Sequence, residues 1–212
     1  MQTYIDKIKQ FTLIEPKNVL EIGSRDGNDA FFLKNHYGLD DDKVWVVEPN
    51  PNQIEVIKNT YPNFNIVPNA IFTEKTEHDF YQVSGKPDDV GTSSLINRSD
   101  NWYEDKANII KVKTITGKDL MNLIVEKIDL CKLDVEGLTY EVLLSFGDKL
   151  NEIKSFHLEC EHREVWKNQK LYDHVSKFLI DNHYAQIYFE YCSGGTLQSD
   201  SIWVLNNLLK NL

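Results

Sequence analysis

Cysteine, positive charge and long apolar runs are all scarce in this sequence, and each scarcity closes off a class of protein. Cysteine occurs three times in 212 residues, at Cys131, Cys160 and Cys192. The odd number, wide spacing and largely apolar surroundings argue against a disulfide framework or a zinc knuckle and fit a reducing, cytoplasmic setting. Basic residues are outnumbered, with 23 Lys and Arg against 33 Asp and Glu, a formal charge of -10. Such a chain repels the phosphate backbone that supplies most nucleic-acid affinity, so no nucleic-acid partner is expected. No apolar run approaches the ~20 residues that a membrane span needs, and the polar opening residues 1–9 do not read as a signal peptide. A soluble chain is expected. Repeats, linkers and low-complexity tracts are also missing. With 41% hydrophobic content the chain suits one substantial core, so a single domain over 1–212 is expected.

What is present is an alternation of strand-like and helix-like segments. Ile5, Ile8 and Phe11 fall at helical spacing within 3–13, an amphipathic helix expected outside the sheet, with residues 1–14 acting as a lid or cap. The apolar run 17–22 ends in Gly23, and the helical pattern over 28–37 stops at Gly38. A strand over 43–47, a turn at 49–51 and a helix over 53–61 repeat the unit, and a third strand falls near 64–67. Residues 78–83 and 109–115 read as a subsidiary strand pair, joined by a polar loop over 84–105 that contains Gly85, Pro87 and Gly91. That loop is the candidate for a mobile segment facing the substrate. Further on come a helix over 118–126, a strand over 128–133, a helix over 138–146, a strand over 153–160 and a helix over 169–182. Two strand-like runs, 185–191 and 201–205, are joined by Gly194-Gly195 and suit a hairpin. The fold class is therefore α/β, a mostly parallel seven-stranded sheet with helices on both faces and a C-terminal antiparallel hairpin. This is the layout of the Rossmann-like class I methyltransferase fold, and ordinary nicotinamide-binding domains lack its hairpin.

Four motifs carry chemistry. In the first, an apolar strand runs into Gly23 and Gly27, whose missing Cβ atoms let a ligand approach the backbone. Glu21, Asp26 and Asp29 crowd this turn with negative charge, where a dinucleotide would place its pyrophosphate. The sulfonium and ammonium of S-adenosylmethionine would be attracted there instead. In the second, Glu48 ends a strand one βα unit later, where a carboxylate can accept hydrogen bonds from both ribose hydroxyls. In the third, alternation puts Lys132 and Asp134 on one face of a central strand, and a buried Lys needs such a partner. In the fourth, His157, Glu159 and Glu161 share a strand face, while His162 falls just beyond the strand end and is expected to reach the reacting methyl group.

The chain resembles the FkbM family of S-adenosylmethionine-dependent methyltransferases over residues 18–159. The resemblance rests on Val47-Glu48-Pro49-Asn50-Pro51, on Lys132-Leu133-Asp134-Val135-Glu136-Gly137 followed by Glu141-Val142-Leu143, and on Ser93-Ser94-Leu95. It implies that Glu21, Gly23 and Gly27 line the methionine portion of the cofactor, with Ser24, Arg25 and Ser94 close by. It further implies that Glu48 holds the ribose beside Pro49 and Asn50, that Asn69 and Ala70 approach the adenine, and that the reaction is O-methylation of a small molecule, sugar or glycan. Two positions depart from the family pattern: Thr139 stands where an acid is usual, and Gly117-Lys118-Asp119 replaces the usual Leu-Asp-Asp.

A hydroxyl acceptor needs a base, and Asp134, Glu159 and His162 are the candidates, with Lys132 as their charged neighbour. The same groups could hold Mg²⁺, although transfer without a metal is expected. Trp102 and Tyr103 are expected to shape the acceptor pocket. The rival readings are a nicotinamide-dependent oxidoreductase, disfavoured by the acid-crowded turn, and a non-catalytic cofactor-binding protein, disfavoured by the polar groups lying beyond the cofactor.

Overall fold

The computed structural model describes residues 1–83, 91–99, 107–124, 126–192 and 197–210. The main sheet is built from β1 (Val19–Ile22), β2 (Val44–Val47), β3 (Asn65–Val67), β7 (Leu130–Leu133), β8 (Ser155–Glu161), β9 (Tyr184–Tyr191) and β10 (Gln198–Leu205). Their order is β3-β2-β1-β7-β8-β10-β9, all neighbours being parallel except those of β10, which runs against both β8 and β9. Every residue of β1 is buried. A parallel strand covered on both sides reads as a continuous apolar run, and Glu21 is the exception that marks the site. The register places Glu21 beside Val46 and Lys132, Lys132 beside His157, and Glu159 beside Asp200.

Among the described residues six helices cover the two faces. On one face α1 (Gln2–Phe11), α2 (Asn28–Tyr37) and α3 (Pro51–Thr60) bury Ile5, Ile8, Leu33 and Ile57 against Val19, Val44, Val46, Leu130 and Ile202. On the other, α4 (Gly117–Leu123), α5 (Thr139–Ser145) and α6 (Tyr172–Asp181) bury Leu120, Val142, Leu143 and Leu179 against Leu20, Cys131, Leu133, Phe156 and Leu158. β1, β2, β7 and β10 thus serve two apolar layers through their alternate side chains.

Local chemistry fixes the helix ends. Pro51 begins α3, and the Asn50 side-chain oxygen accepts the Asn52 N–H at 3.1 Å. At α4 the Thr116 and Asp119 side chains each bond the other's backbone N–H, a capping box that gives the unusual Gly117-Lys118-Asp119 run its role. A Cβ on Gly117 would fall 2.6 Å from the Phe146 ring, so the missing side chain lets α4 pack against it.

Three expectations change on contact with the structure. The first helix is a cover for the sheet: the Tyr4 hydroxyl pairs with Ser155 Oγ at 2.8 Å and accepts the Cys131 N–H at 3.2 Å, deep in the core. β5 (Glu77–Val83) and β6 (Ala107–Ile115) do pair, antiparallel, but with the two-residue β4 (Ala70–Ile71) they form a separate three-stranded sheet. The last helix starts at Tyr172, because the Gln169 side chain is spent on the N–H groups of Val165 and Trp166 and on Glu161. Gly194-Gly195, Gly85, Pro87, Trp102 and Tyr103 lie outside the described residues. Within the polar loop, 91–99 is tied to β5 by Tyr81 and Ser94 and to the 165–167 turn by hydrogen bonds of 2.8 and 2.9 Å.

Candidate active site

Two open clefts meet at the carboxyl ends of β1, β2 and β7 and share Gly23, Arg25, Gly91, Asp134 and Glu136 in their walls. The first is lined by apolar groups such as Ile71, Phe80 and Leu95 together with Glu48 and Asn50. Glu48 is buried and held from both sides: Oε2 accepts the Arg25 N–H at 2.8 Å and Oε1 the Asn50 N–H at 2.7 Å. Each oxygen keeps a lone pair for a ligand hydroxyl. Burial pushes its pKa up to about 7, against the pull of the two backbone donors. Asn50 Oδ1 also accepts from Gln82 Nε2 at 2.7 Å, which ties the small sheet to this wall.

Gly23 makes the junction possible. Its φ is +76°, and a Cβ there would stand 1.7 Å from the Asp134 carbonyl oxygen. The turn after β1 and the end of β7 approach so closely that a side chain has no room.

Carboxylates dominate the second cavity. Lys132 Nζ sits 2.9 Å from Asp134 Oδ2 and 3.2 Å from Asp29 Oδ2. Burial works against its charge, but Asp134, Asp29 and Glu21 outweigh that and raise its pKa. Glu21 accepts the Ala30 N–H at 2.9 Å, and burial lifts it to about 8 despite the attraction of Lys132. Asp134, Glu136 and Glu159 bring carboxyl oxygens within 4.8 Å of one another. Burial followed by repulsion from Asp134 raises Glu159 to about 8 and Glu136 well above the usual range. The Ser94 hydroxyl donates to the Glu136 carbonyl at 2.8 Å, fastening the 91–99 strip to this wall.

Most of the residues singled out from sequence therefore converge. Glu48, Pro49, Asn50, Asn69, Ala70 and Ser94 line the first cavity, and Glu21, Ser24, Lys132 and Glu159 the second. His157, paired with Asp200, and Glu161, bonded to Gln169, lie in neither wall, and two residues assigned direct roles do not join them either. Gly27 lies in neither wall: it caps α2, and a Cβ there would meet the Tyr61 ring at 3.0 Å. His162 is the larger correction. One position past Glu161 it points with Cys160, away from the Glu159 face, its ring 4.8 Å from that of Tyr172 and Nε2 2.8 Å from Ser199 Oγ. Burial lowers its pKa.

Residue roles missed from sequence are those of Glu136, Asp29 and Phe80. Glu136 belongs to a family motif, but its direction depends on a left-handed backbone, φ +48°, that the sequence does not announce. Thr139, neutral where an acid is usual, donates its hydroxyl to the Glu159 carbonyl at 3.1 Å and so ties α5 to β8.

The strand order, the closing hairpin, the glycine turn after β1 and the acid after β2 together define a class I methyltransferase fold. Within that class the chain belongs to the FkbM methyltransferase family: the methyltransferase FkbM domain matches residues 21–187. A solved methyltransferase FkbM from Methylobacillus flagellatus KT superposes with a TM-score of 0.59 at 10% identity, covering 90% of this chain and 44% of that one. The chain thus spans less than half the length of that relative. M. capricolum TrmK, solved with S-adenosyl-homocysteine, gives 0.54 at 8% identity over 100% of this chain and 71% of its own. Magnesium protoporphyrin IX methyltransferase from Synechocystis PCC 6803, solved with bound SAM, gives 0.54 at 11% over 96% and 76%. No curated protein matches the sequence.

Proposed function

We propose that the protein binds S-adenosylmethionine across the two cavities and methylates a hydroxyl oxygen on a small molecule, sugar or glycan. The observation that carries this reading is the junction itself: a cavity lined by Glu48 and by Ile71, Phe80 and Leu95 meets, at Gly23 and Asp134, a chamber of carboxylates. The donor set fits the cofactor. Glu48 offers two oxygens to a ribose diol, Ile71, Phe80 and Leu95 offer apolar contact to adenine, and the acids beyond Gly23 suit a sulfonium and an ammonium. When bound, S-adenosylmethionine supplies an electrophilic methyl group.

The remaining work falls to the chain. Lys132 holds Asp134 in place through an ion pair of 2.9 Å. Glu159 stands with Asp134 and Glu136 at the wall of the second cavity, and it is assigned the role of general base, which it can fill in its ionised form, above about pH 8. A second reading rests on the three-carboxylate cluster: Asp134, Glu136 and Glu159 would hold a Mg²⁺ ion, which would supply Lewis acidity to the acceptor hydroxyl.

Labelled cofactor tests both. Calorimetry should detect binding of S-adenosylmethionine by the wild-type protein, and label should pass to an acceptor in an extract of small molecules and glycans. Transfer is expected to survive EDTA. No cofactor binding would sink the reading, whereas loss with EDTA and recovery with Mg²⁺ would put the metal mechanism first.

A further inference from the structure

The small sheet sends one polar side chain to the wall of the first cavity without lining it. Gln82 lies on β5 two positions from Phe80, so alternation turns both side chains to the same face, and Phe80 lines the cavity. Gln82 itself is not part of the lining and is only 8% exposed. Its Nε2 donates to Asn50 Oδ1 at 2.7 Å. A buried amide spent on a loop of the other sheet fixes something there, and Asn50 shows what.

The Asn50 backbone N–H donates to Glu48 Oε1 at 2.7 Å, and its Oδ1 accepts twice, from the Asn52 N–H at 3.1 Å and from Gln82 Nε2. A backbone N–H can only donate, so the Asn52 contact fixes which end of the amide is oxygen. Two bonds on that oxygen pin the side chain and leave Nδ2 over. Among the described residues Nδ2 donates to no group, yet it is not sealed inside the protein. Asn50 is 2% exposed and lines the first cavity, so the little surface it keeps lies in that wall. Two N–H donors therefore stand beside Glu48, whose free lone pairs are acceptors. A donor next to an acceptor is the complement of a hydroxyl, which gives one hydrogen bond and takes another.

We propose that Gln82 is a positioning residue for the nucleoside: by holding Asn50 Oδ1 it keeps the Nδ2 N–H groups turned to the cavity, where one of them donates to a ribose hydroxyl whose own proton Glu48 accepts. The assignment rests on S-adenosylmethionine being the ligand of the first cavity. A ribose lacking that hydroxyl leaves both Glu48 and Asn50 short of a partner, so the pair selects for an intact sugar. The small sheet thereby takes a share in recognition. Tyr81, next to Gln82, pairs with Ser94 of the 91–99 strip, so the strand that anchors the strip also sets the amide that reads the sugar.

Calorimetry with S-adenosylhomocysteine and its 2′-deoxy and 3′-deoxy analogues tests this. In the wild type at least one deoxy analogue should bind about a hundredfold more weakly than S-adenosylhomocysteine, because two partners lose one hydroxyl. Gln82→Met keeps the length of the side chain and removes its donor, and Gln82→Leu is the second variant should the first not fold. Either should bind S-adenosylhomocysteine about tenfold more weakly than the wild type does. The deoxy analogue that lacks the hydroxyl read by Asn50 should bind variant and wild type alike, a non-additivity that a merely structural loss does not produce. Unchanged affinity of a folded variant for S-adenosylhomocysteine overturns the inference and leaves cofactor binding standing. So does a loss of equal size for all three ligands, and so do deoxy analogues that bind the wild type as tightly as the parent. A wild-type protein that binds no S-adenosylhomocysteine removes the cofactor reading, and the inference falls with it.

Discussion

Glu48 spends two of its lone pairs on the Arg25 and Asn50 N–H groups and keeps the rest for a ligand, so its replacement separates structure from binding. Glu48→Gln keeps the shape and part of the acceptor capacity. It should weaken S-adenosylmethionine binding by ~1.5 to 3 kcal/mol, as loss of a charged hydrogen bond does. Unchanged affinity in calorimetry would withdraw the ribose assignment. Gly23 makes a different kind of prediction, because the obstacle to a side chain there is the Asp134 backbone, which cannot swing aside. Gly23→Ala should cost at least ~3 kcal/mol in urea unfolding, the range reserved for strained or overpacked sites. A wild-type midpoint would mean that the turn after β1 and the end of β7 stand further apart than 1.7 Å from that Cβ allows. At this scale the sequence was readable wherever alternation alone decides direction: Lys132 and Asp134, two apart on a strand, do meet at 2.9 Å. It misled at His162, where a shift of one residue reverses the face. It was silent on Asp29, whose partner is set by how α2 lies over β7.

Elements bounded by a conformational stop were the easiest to read. Helix α2 occupies Asn28–Tyr37 because Gly38 adopts φ +65° directly after it, and the hairpin strands β9 and β10 pair antiparallel as their patterns imply. Elements held by tertiary bonds were illegible. Two-residue β4 is too short to show any period, and α6 begins late because the Gln169 side chain serves its neighbours' backbone. The 91–99 strip is of this second kind. Its bonds run to Tyr81, to the Glu136 carbonyl and to the 165–167 turn, partners distant in sequence. Because Ser93, Ser94 and Leu95 line the nucleoside cavity, filling that cavity should steady them. Hydrogen exchange across 91–99 is therefore expected to slow with S-adenosylhomocysteine, and equal exchange in both states would leave the strip without a part in binding.

Taken whole, the molecule concentrates reluctant acids at one end of its sheet. Burial raises Glu48 to about 7 and Glu21 and Glu159 to about 8, all above the 4.5 of an unfolded Glu. The native state therefore holds protons that the unfolded chain has released, a stabilisation complete below pH ~4.5 and lost as the pH climbs through ~7 to 8. The acids shifted the other way, Asp41, Asp119, Glu126, Asp148 and Asp200, matter only below that window. His162, lowered by burial, opposes the trend as a single partly buried ring. The ligand-free protein should thus melt several degrees higher at pH ~5.5 than at pH ~8.5, on the order of 1–3 kcal/mol. A flat profile would show these carboxyls ionised in the fold. The strip over the site adds a constraint of another kind. Gly91 borders both chambers, Thr92 faces the acidic one, and Ser93 to Leu95 face the other. One short piece of backbone overlooks two rooms, so whatever fills either room meets the same strip, and a change in one wall reaches the other through Gly91.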